Sequence, residues 1–254
     1  MGALTTLLFD VDGTLAETEE IHRESFNRAF AQVGLDWVWS KALYAELLRV
    51  TGGKERIRYF LDTHLPDFEA PMQLDEYIAG LHAAKTDIYT RTVAAGEVPL
   101  RPGVKRLLDE TRRAGMRLAI TTTTTPANVT ALLRHSLAPD AESWFEVIGA
   151  GSVVPAKKPA PDIYHYVMQE MGVSPAECLA FEDSANGLRS ARDAGVTTLV
   201  TVSDYTCEDN FAGAALVLDH LGEPDRPFTV ISGDAGGGSY VTVALLRELH
   251  AQCR

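Results

Sequence analysis

From Val104 to Leu218 the chain changes period repeatedly, and no other feature constrains its fold as much. Val104 to Ala114 carries helical spacing closed by Gly115, Met116 to Thr122 reads as a strand, and Pro126 opens a helix that runs to His135. Trp144 to Gly149 is a strand, Pro161 to Met171 a helix and Cys178 to Phe181 a strand. Ser184 to Ala194 is again helical, and Thr197 to Val202 and Ala215 to Leu218 are strands. Strands that alternate with helices pair in parallel, with helices on both faces of the sheet. The class is α/β. A further strand, Leu7-Leu8-Phe9, opens the chain, and residues 16–99 interrupt the alternation with helical periods only: Glu17 to Gly34, Lys41 to Val50, Lys54 to Leu65 and Leu74 to Ala95. The Pro- and Gly-rich stretch 96–103 suits a linker back to the sheet. A Gly-rich turn from Asp234 to Ser239 and a helix from about Val241 are expected in the tail.

Ligands of an open parallel sheet bind beyond the carboxyl ends of its strands. Asp10 and Asp12 end the first strand, Thr122 ends the second, Lys158 follows the third, and Glu182-Asp183 end the fourth. All these ends face one crevice. Taken singly, Asp10-Val11-Asp12-Gly13 is an ordinary turn, Thr122 a strand residue, Lys158 a solvated loop lysine and Glu182-Asp183 the start of a helix. Their convergence points instead to a site. Carboxylates gathered at one point repel one another unless a hard, oxygen-seeking cation lies among them, and magnesium fits. A calcium loop is excluded, because Leu15 stands where that loop needs glycine. With the fixed charge of Lys158 and the hydroxyl of Thr122, the set describes a seat for a phosphoryl group beside a carboxylate nucleophile.

Composition narrows the partners. A formal net charge of −12 over 254 residues leaves no broad basic surface for nucleic acid or an anionic membrane. No apolar run reaches the roughly 18 residues of a membrane-spanning helix, and the first residues lack a basic segment. Cys178, Cys207 and Cys253 are odd in number and far apart, so neither zinc nor a disulfide framework is indicated. A cytosolic protein is expected.

The four clusters, Asp10-Val11-Asp12-Gly13-Thr14, the threonine after Leu118-Ala119-Ile120, Lys158-Pro159-Ala160-Pro161-Asp162 and Glu182-Asp183-Ser184-Ala185-Asn186-Gly187, resemble the haloacid-dehalogenase superfamily over residues 4 to 220. The helical insertion resembles the small cap of its β-phosphoglucomutase-like branch. The run Thr122 to Val129 and the stretch Glu17 to His22 are similar to those of the CbbY proteins, phosphatases of xylulose 1,5-bisphosphate, a misfire product that inhibits Rubisco.

The resemblance implies a Rossmann-like core over 1–15 and 100–254 and a helical cap over 16–99. It implies Asp10 as nucleophile through an aspartyl-phosphate, Asp12 as general acid and base, and Thr122 and Lys158 as phosphate-holding groups. Magnesium would be held by Asp10, the Asp12 backbone carbonyl and Asp183, with Glu182 supporting. Glu17, His22, Thr122 and Thr123 would meet the sugar phosphate. The segment Arg49-Val50-Thr51-Gly52-Gly53-Lys54 would hold a distal phosphate, with Arg49, Thr51, Gly52, Gly53 and Lys54 in contact. That segment is not a P-loop, since Leu48 and Glu55 break the pattern at both ends. The implied activity is magnesium-dependent hydrolysis of a sugar bisphosphate, linked to Rubisco only through its inhibitor. A sugar-phosphate mutase and a phosphoglycolate or hexose-phosphate phosphatase are the enzymatic alternatives, and a binding module with a dead site is the non-enzymatic one.

Overall fold

A computed structural model describes residues 3–96 and 98–253. Met1, Gly2 and Arg254, at the ends of the expected core segments, and Glu97 of the expected linker lie outside the described residues. The sheet contains β1 (Thr6–Phe9), β2 (Arg117–Thr121), β3 (Val147–Gly149), β4 (Cys178–Glu182), β5 (Thr197–Thr201), β6 (Leu216–Leu218) and β7 (Val230–Gly233). Their order across the sheet is β3-β2-β1-β4-β5-β6-β7. Every pairing is parallel except the last, where β7 runs antiparallel to β6.

Successive side chains of a strand face opposite ways, and β1 shows what this does. Leu7 and Phe9 enter one apolar layer with Val104, Leu107 and Leu108 of α5 (Val104–Arg113), Val129 and Leu132 of α6 (Pro126–Leu132), and Leu246 of the C-terminal helix Val243–Gln252. Leu8 enters the other, with Ile163, Tyr164 and Val167 of α7 (Asp162–Met171) and Ala191 of α8 (Ala185–Asp193). Both layers exclude water, so β1 and β4 lie centrally and their carboxyl ends open into the same place.

Between β1 and α5 stand α1 (Glu19–Gln32), α2 (Lys41–Leu47), α3 (Gly53–His64) and α4 (Leu74–Ala94). They surround their own aromatic cluster: Phe26, Phe30, Trp37, Trp39, Tyr44 and Phe60. Leu100, where the chain returns to the sheet, bridges to Ala16, where it leaves. The helical insertion, the expected cap, is therefore anchored at one doubled point. It also leans on the core, because Tyr89 and Val93 near the end of α4 belong to the layer under β1.

Three expectations need correction. The helix expected to His135 ends at Leu132 and widens into a looser turn over Leu133–Leu137. The strand expected from Trp144 begins only at Val147, since Ala141–Trp144 forms a 3₁₀ turn. The tail contributes a strand, β7, that periodicity does not announce, because all four of its residues are exposed and no alternation of burial marks them.

Candidate active site

Asp10 follows β1 directly, and its amide donates to the Phe181 carbonyl of β4 (3.0 Å), which fixes its place in the sheet's mouth. Gly13 then turns the chain at φ +76°, a left-handed conformation that glycine adopts without steric cost. A Cβ there would lie 2.0 Å from Asp183 Oδ2, so the bare backbone leaves room for that carboxylate. On β4's end, Glu182 and Asp183 precede α8, whose first turn is capped by the Ser184 hydroxyl accepting from the Gly187 amide (3.2 Å).

Carboxylate oxygens of Asp10, Glu182 and Asp183 all lie within 4.8 Å of one another, and all three residues are buried. Lys158 is the counter-charge, its ammonium donating to Asp10 Oδ1 (2.7 Å) and Glu182 Oε1 (2.6 Å). Tyr164 also donates to Glu182 Oε1, while the buried Glu182 Oε2 has no hydrogen-bond partner among the described residues. Burial pushes the Asp10 carboxyl up to about 8, against the pull of Lys158. Asp183 is raised well above the carboxylate range by burial and by the charge of Asp10, with only Ser203 Oγ donating to it (2.9 Å). One lysine does not offset three carboxylates, and a buried acceptor without a partner is costly. The donor set is all oxygen. It fits a hard divalent cation bound by Asp10, Glu182 and Asp183.

Asp12 turns the other way. Its Oδ1 accepts from Thr18 Oγ1 (2.6 Å) and His22 Nε2 (3.0 Å). Burial alone would raise its pKa, but His22, Thr18 and Lys85 overcome that and hold it below the usual carboxylate range. The raised pKa that an acid catalyst needs at rest is therefore not found. His22 stacks on Tyr89 with ring centroids 4.2 Å apart and is held neutral, its pKa driven down to about 4 by burial and by Lys85. Since the ionised Asp12 can only accept, the ring proton sits on Nε2 and Nδ1 faces the Lys85 nitrogen. Lys85 is itself buried, pushed down to about 7 by that burial, with Phe26 and Tyr89 rings 5.0 Å from its nitrogen.

These groups line a cleft of about 940 Å³ between cap and core. Asp10, Asp12, His22, Arg49, Thr51, Gly52, Gly53, Lys54, Thr122, Thr123, Lys158, Glu182 and Asp183 all border it. Thr122 borders the cleft and Thr121 does not; the Thr122 amide donates to the Gly149 carbonyl (2.9 Å) and its hydroxyl accepts from the Thr124 amide (3.2 Å). Arg49 and Lys54 form no ion pair among the described residues.

Glu17 is not in the cleft. It precedes the first turn of α1, faces a second cavity by the cap's anchor, and pairs with Arg101 Nε at 3.1 Å. Glu19, two residues on and inside the helix, is the carboxylate that faces the cleft, raised to about 7 by burial and the charge of Asp12. Sequence reasoning missed Glu19, Lys85 and Tyr164. Lys85 had a signal: it falls in the apolar stripe Ile78, Leu81, Ile88 of α4, where a solvated lysine does not belong. Tyr164 had none.

Residues 4–195 match the family model described as haloacid dehalogenase-like hydrolase. The CbbY protein of Cupriavidus necator is 49% identical over 224 residues, 88% of each chain, and that of Rhodobacter capsulatus is 52% identical over 83% of this chain and 91% of its own. Among solved structures, CbbY from Rhodobacter sphaeroides with phosphate bound superposes with a TM-score of 0.80 at 47% identity, covering 85% of this chain and 94% of its own. A variant of the same protein in complex with xylulose 1,5-bisphosphate gives 0.81 at 46% identity, over 87% and 98%.

Proposed function

Because this chain belongs to the haloacid dehalogenase-like hydrolases and is a phosphatase, we propose that it removes one phosphate from a sugar bisphosphate, xylulose 1,5-bisphosphate, and needs magnesium to do so. The observation that carries this is the cleft itself. A carboxylate cluster with one lysine lies at its floor, and cations that form no ion pair, Arg49 and Lys54, stand on the cap side. A monophosphate has nothing to place against the second set. The complex of a relative 46% identical with the same bisphosphate supports the choice of sugar.

Asp10 would attack phosphorus and carry the phosphoryl group as an aspartyl-phosphate. Lys158 holds its carboxylate in place and meets the phosphate oxygens. Unit like charges ~4 Å apart repel by about 4 kcal/mol at an effective dielectric of 20, so the attack depends on counter-charge being fixed there beforehand. A magnesium ion held by Asp10, Asp183, Glu182 and the Asp12 backbone carbonyl would supply the remainder of that charge when bound. Thr122 and Thr123 are proposed to hold the transferring phosphate.

Asp12 gives the proton to the departing sugar oxygen and later takes one from water. At rest it is held ionised by His22 and Thr18, so it takes a proton from solvent when the dianionic phosphate arrives and its charge raises Asp12, and returns a proton to solvent after the water step. The return step, proton uptake from water, matches the resting state. Cap residues 16–99 are proposed as a unit that closes over this chemistry. Its link to Rubisco would run through the inhibitor it destroys, with no contact between the proteins.

The test is to incubate the pure enzyme with xylulose 1,5-bisphosphate, with and without magnesium, and to measure free phosphate against isomerised sugar. Free phosphate formed in step with substrate loss, abolished by chelator, is the expected result. Isomerised bisphosphate without phosphate release would make the chain a mutase.

A further inference from the structure

Cap and core meet across the mouth of the cleft through a few polar contacts, and one of them joins full charges. The Lys157 ammonium, in the loop before Lys158, lies 2.8 Å from Glu55 Oε1 and 2.9 Å from Oε2, at the first turn of α3. Beside it the Thr51 hydroxyl donates to the backbone carbonyl of Lys158. Gly52 stands between the two contacts at φ +93°, and a Cβ there would lie 2.2 Å from Glu55 Oε2 and 2.6 Å from Lys157 Nζ. The ion pair is thus packed on bare backbone. Elsewhere along the contact Asn186 Nδ2 donates to the Arg49 carbonyl (3.2 Å), and Tyr205 donates to Glu20 (2.5 Å), both neutral donors.

Glu55 suits the first turn of α3, where the helix N-terminus favours a carboxylate, but its reach across the mouth goes beyond that. A carboxylate at the rim of a cleft that receives anions repels them, and nothing in the chemistry at Asp10 uses it. Lys157 neutralises it, but only while the cap is closed, because the partners sit on opposite sides of the mouth. Opening separates them by solvent.

We propose that Glu55 and Lys157 form the latch that holds the cap shut, and that closing it positions Lys158. The coupling is covalent and short. Lys157 is the residue before Lys158, and Thr51, four residues before Glu55, grips the Lys158 carbonyl, so the cap bears on the peptide whose side chain holds Asp10 at 2.7 Å. Glu55 and Lys157 are positioning residues that act through Lys158. Glu55 is 46% exposed and Lys157 15%, so the pair is partly screened and its effect is modest and sensitive to salt.

The inference depends on the proposed chemistry only for its kinetic arm. For the other arm, the full chain carrying Cys207→Ser and Cys253→Ser is spin-labelled at Asp62→Cys in the cap and Glu170→Cys in the core, all exposed sites, and distances are read without substrate. Glu55→Gln is expected to shift the distribution to longer distances, and the exchanged pair Glu55→Lys with Lys157→Glu to restore it. In turnover, Glu55→Gln is expected to lower kcat/KM roughly three- to fivefold, mainly through KM, and to flatten its salt dependence. An unchanged distribution in Glu55→Gln, or an exchanged pair that is folded but stays open, overturns the latch. An opened cap with unaltered kcat/KM overturns the coupling to Lys158. If the chain does not hydrolyse the bisphosphate at all, the distance arm still decides the latch.

Discussion

Asp10 is proposed to carry two roles in one carboxylate, and each gives a prediction. As nucleophile it would be irreplaceable: Asn keeps the shape and can still accept from Lys158, but it cannot form the aspartyl-phosphate. Asp10→Asn should lower kcat by on the order of a thousandfold or more with an unchanged circular dichroism spectrum. Activity within tenfold of the parent would refute the assignment. As a cation ligand Asp10 is coupled to pH. Its pKa of about 8 and the raised pKa of Asp183 mean that, without metal, the folded chain holds protons that the unfolded chain has lost above pH 4. The contribution of these groups to stability is present at low pH and falls as pH rises through about 8. A cation takes the place of those protons, so the rise in Tm caused by a fixed magnesium concentration should grow between pH 6 and roughly pH 8. Calorimetry over that range checks it, and a magnesium effect independent of pH would mean that these carboxyls do not bind the ion.

At the scale of elements, the segment from Arg49 to Lys54, where the chain passes from α2 into α3, brings cations to the cleft, and their use is testable. Arg49 and Lys54 both border it and neither is tied to a carboxylate, so a distal phosphate finds them ready. Charge-assisted hydrogen bonds contribute roughly 1.5–3 kcal/mol each. The double change Arg49→Ala with Lys54→Ala should therefore cost at least tenfold in kcat/KM for the bisphosphate and little for its monophosphate; an unaltered ratio between the two substrates would place the distal phosphate elsewhere. How much of this was legible follows from what each element depends on. The central strands were readable because they are buried on both faces, so Leu7, Leu8 and Phe9 form a continuous apolar run that ends in an acid. The floor of the site was readable with them, since strand ends fix where Asp10, Lys158 and Glu182 meet. β7 was not, because its pairing comes from the open edge of β6 and its own residues are exposed. Glu17 misled through closeness in sequence: it lies before the helix, where the chain still faces Arg101, while two residues on, at the start of α1, the chain has turned and Glu19 faces the other way. The His22–Lys85 contact joins α1 to α4, 63 residues apart, and no local pattern records a pairing of that kind.

For the whole molecule, the tail beyond Leu221 has a mechanical task. The C-terminal helix α9 (Val243–Gln252) lies against α5, the helix that receives the chain as it returns from the cap. Val241 and Leu246 are fully buried, and Leu249 nearly so, in the layer beneath β1. Polar contacts fix the fit: Arg106 of α5 binds Glu223 (3.0 Å) and the carbonyls of Gly222 and Val241 (2.8 Å each), and Glu110 accepts from the Val243 amide (2.9 Å). The helix starts where Thr242 caps it, its hydroxyl accepting from the Leu245 amide (3.1 Å). None of residues 222–253 borders the cleft. The tail should therefore contribute to stability and leave the chemistry alone, which Leu246→Ala can separate. Removing a fully buried leucine loses its transfer free energy and leaves a cavity, together worth roughly 2–5 kcal/mol. Urea unfolding of Leu246→Ala should show a loss of that size, while kcat/KM at a temperature well below the transition stays within twofold of the parent. A variant as stable as the parent would mean that α9 only rests on the core. A large fall in kcat/KM in a fully folded variant would mean that α5 transmits strain from the tail through the Leu100–Ala16 anchor to the loop that holds Asp12.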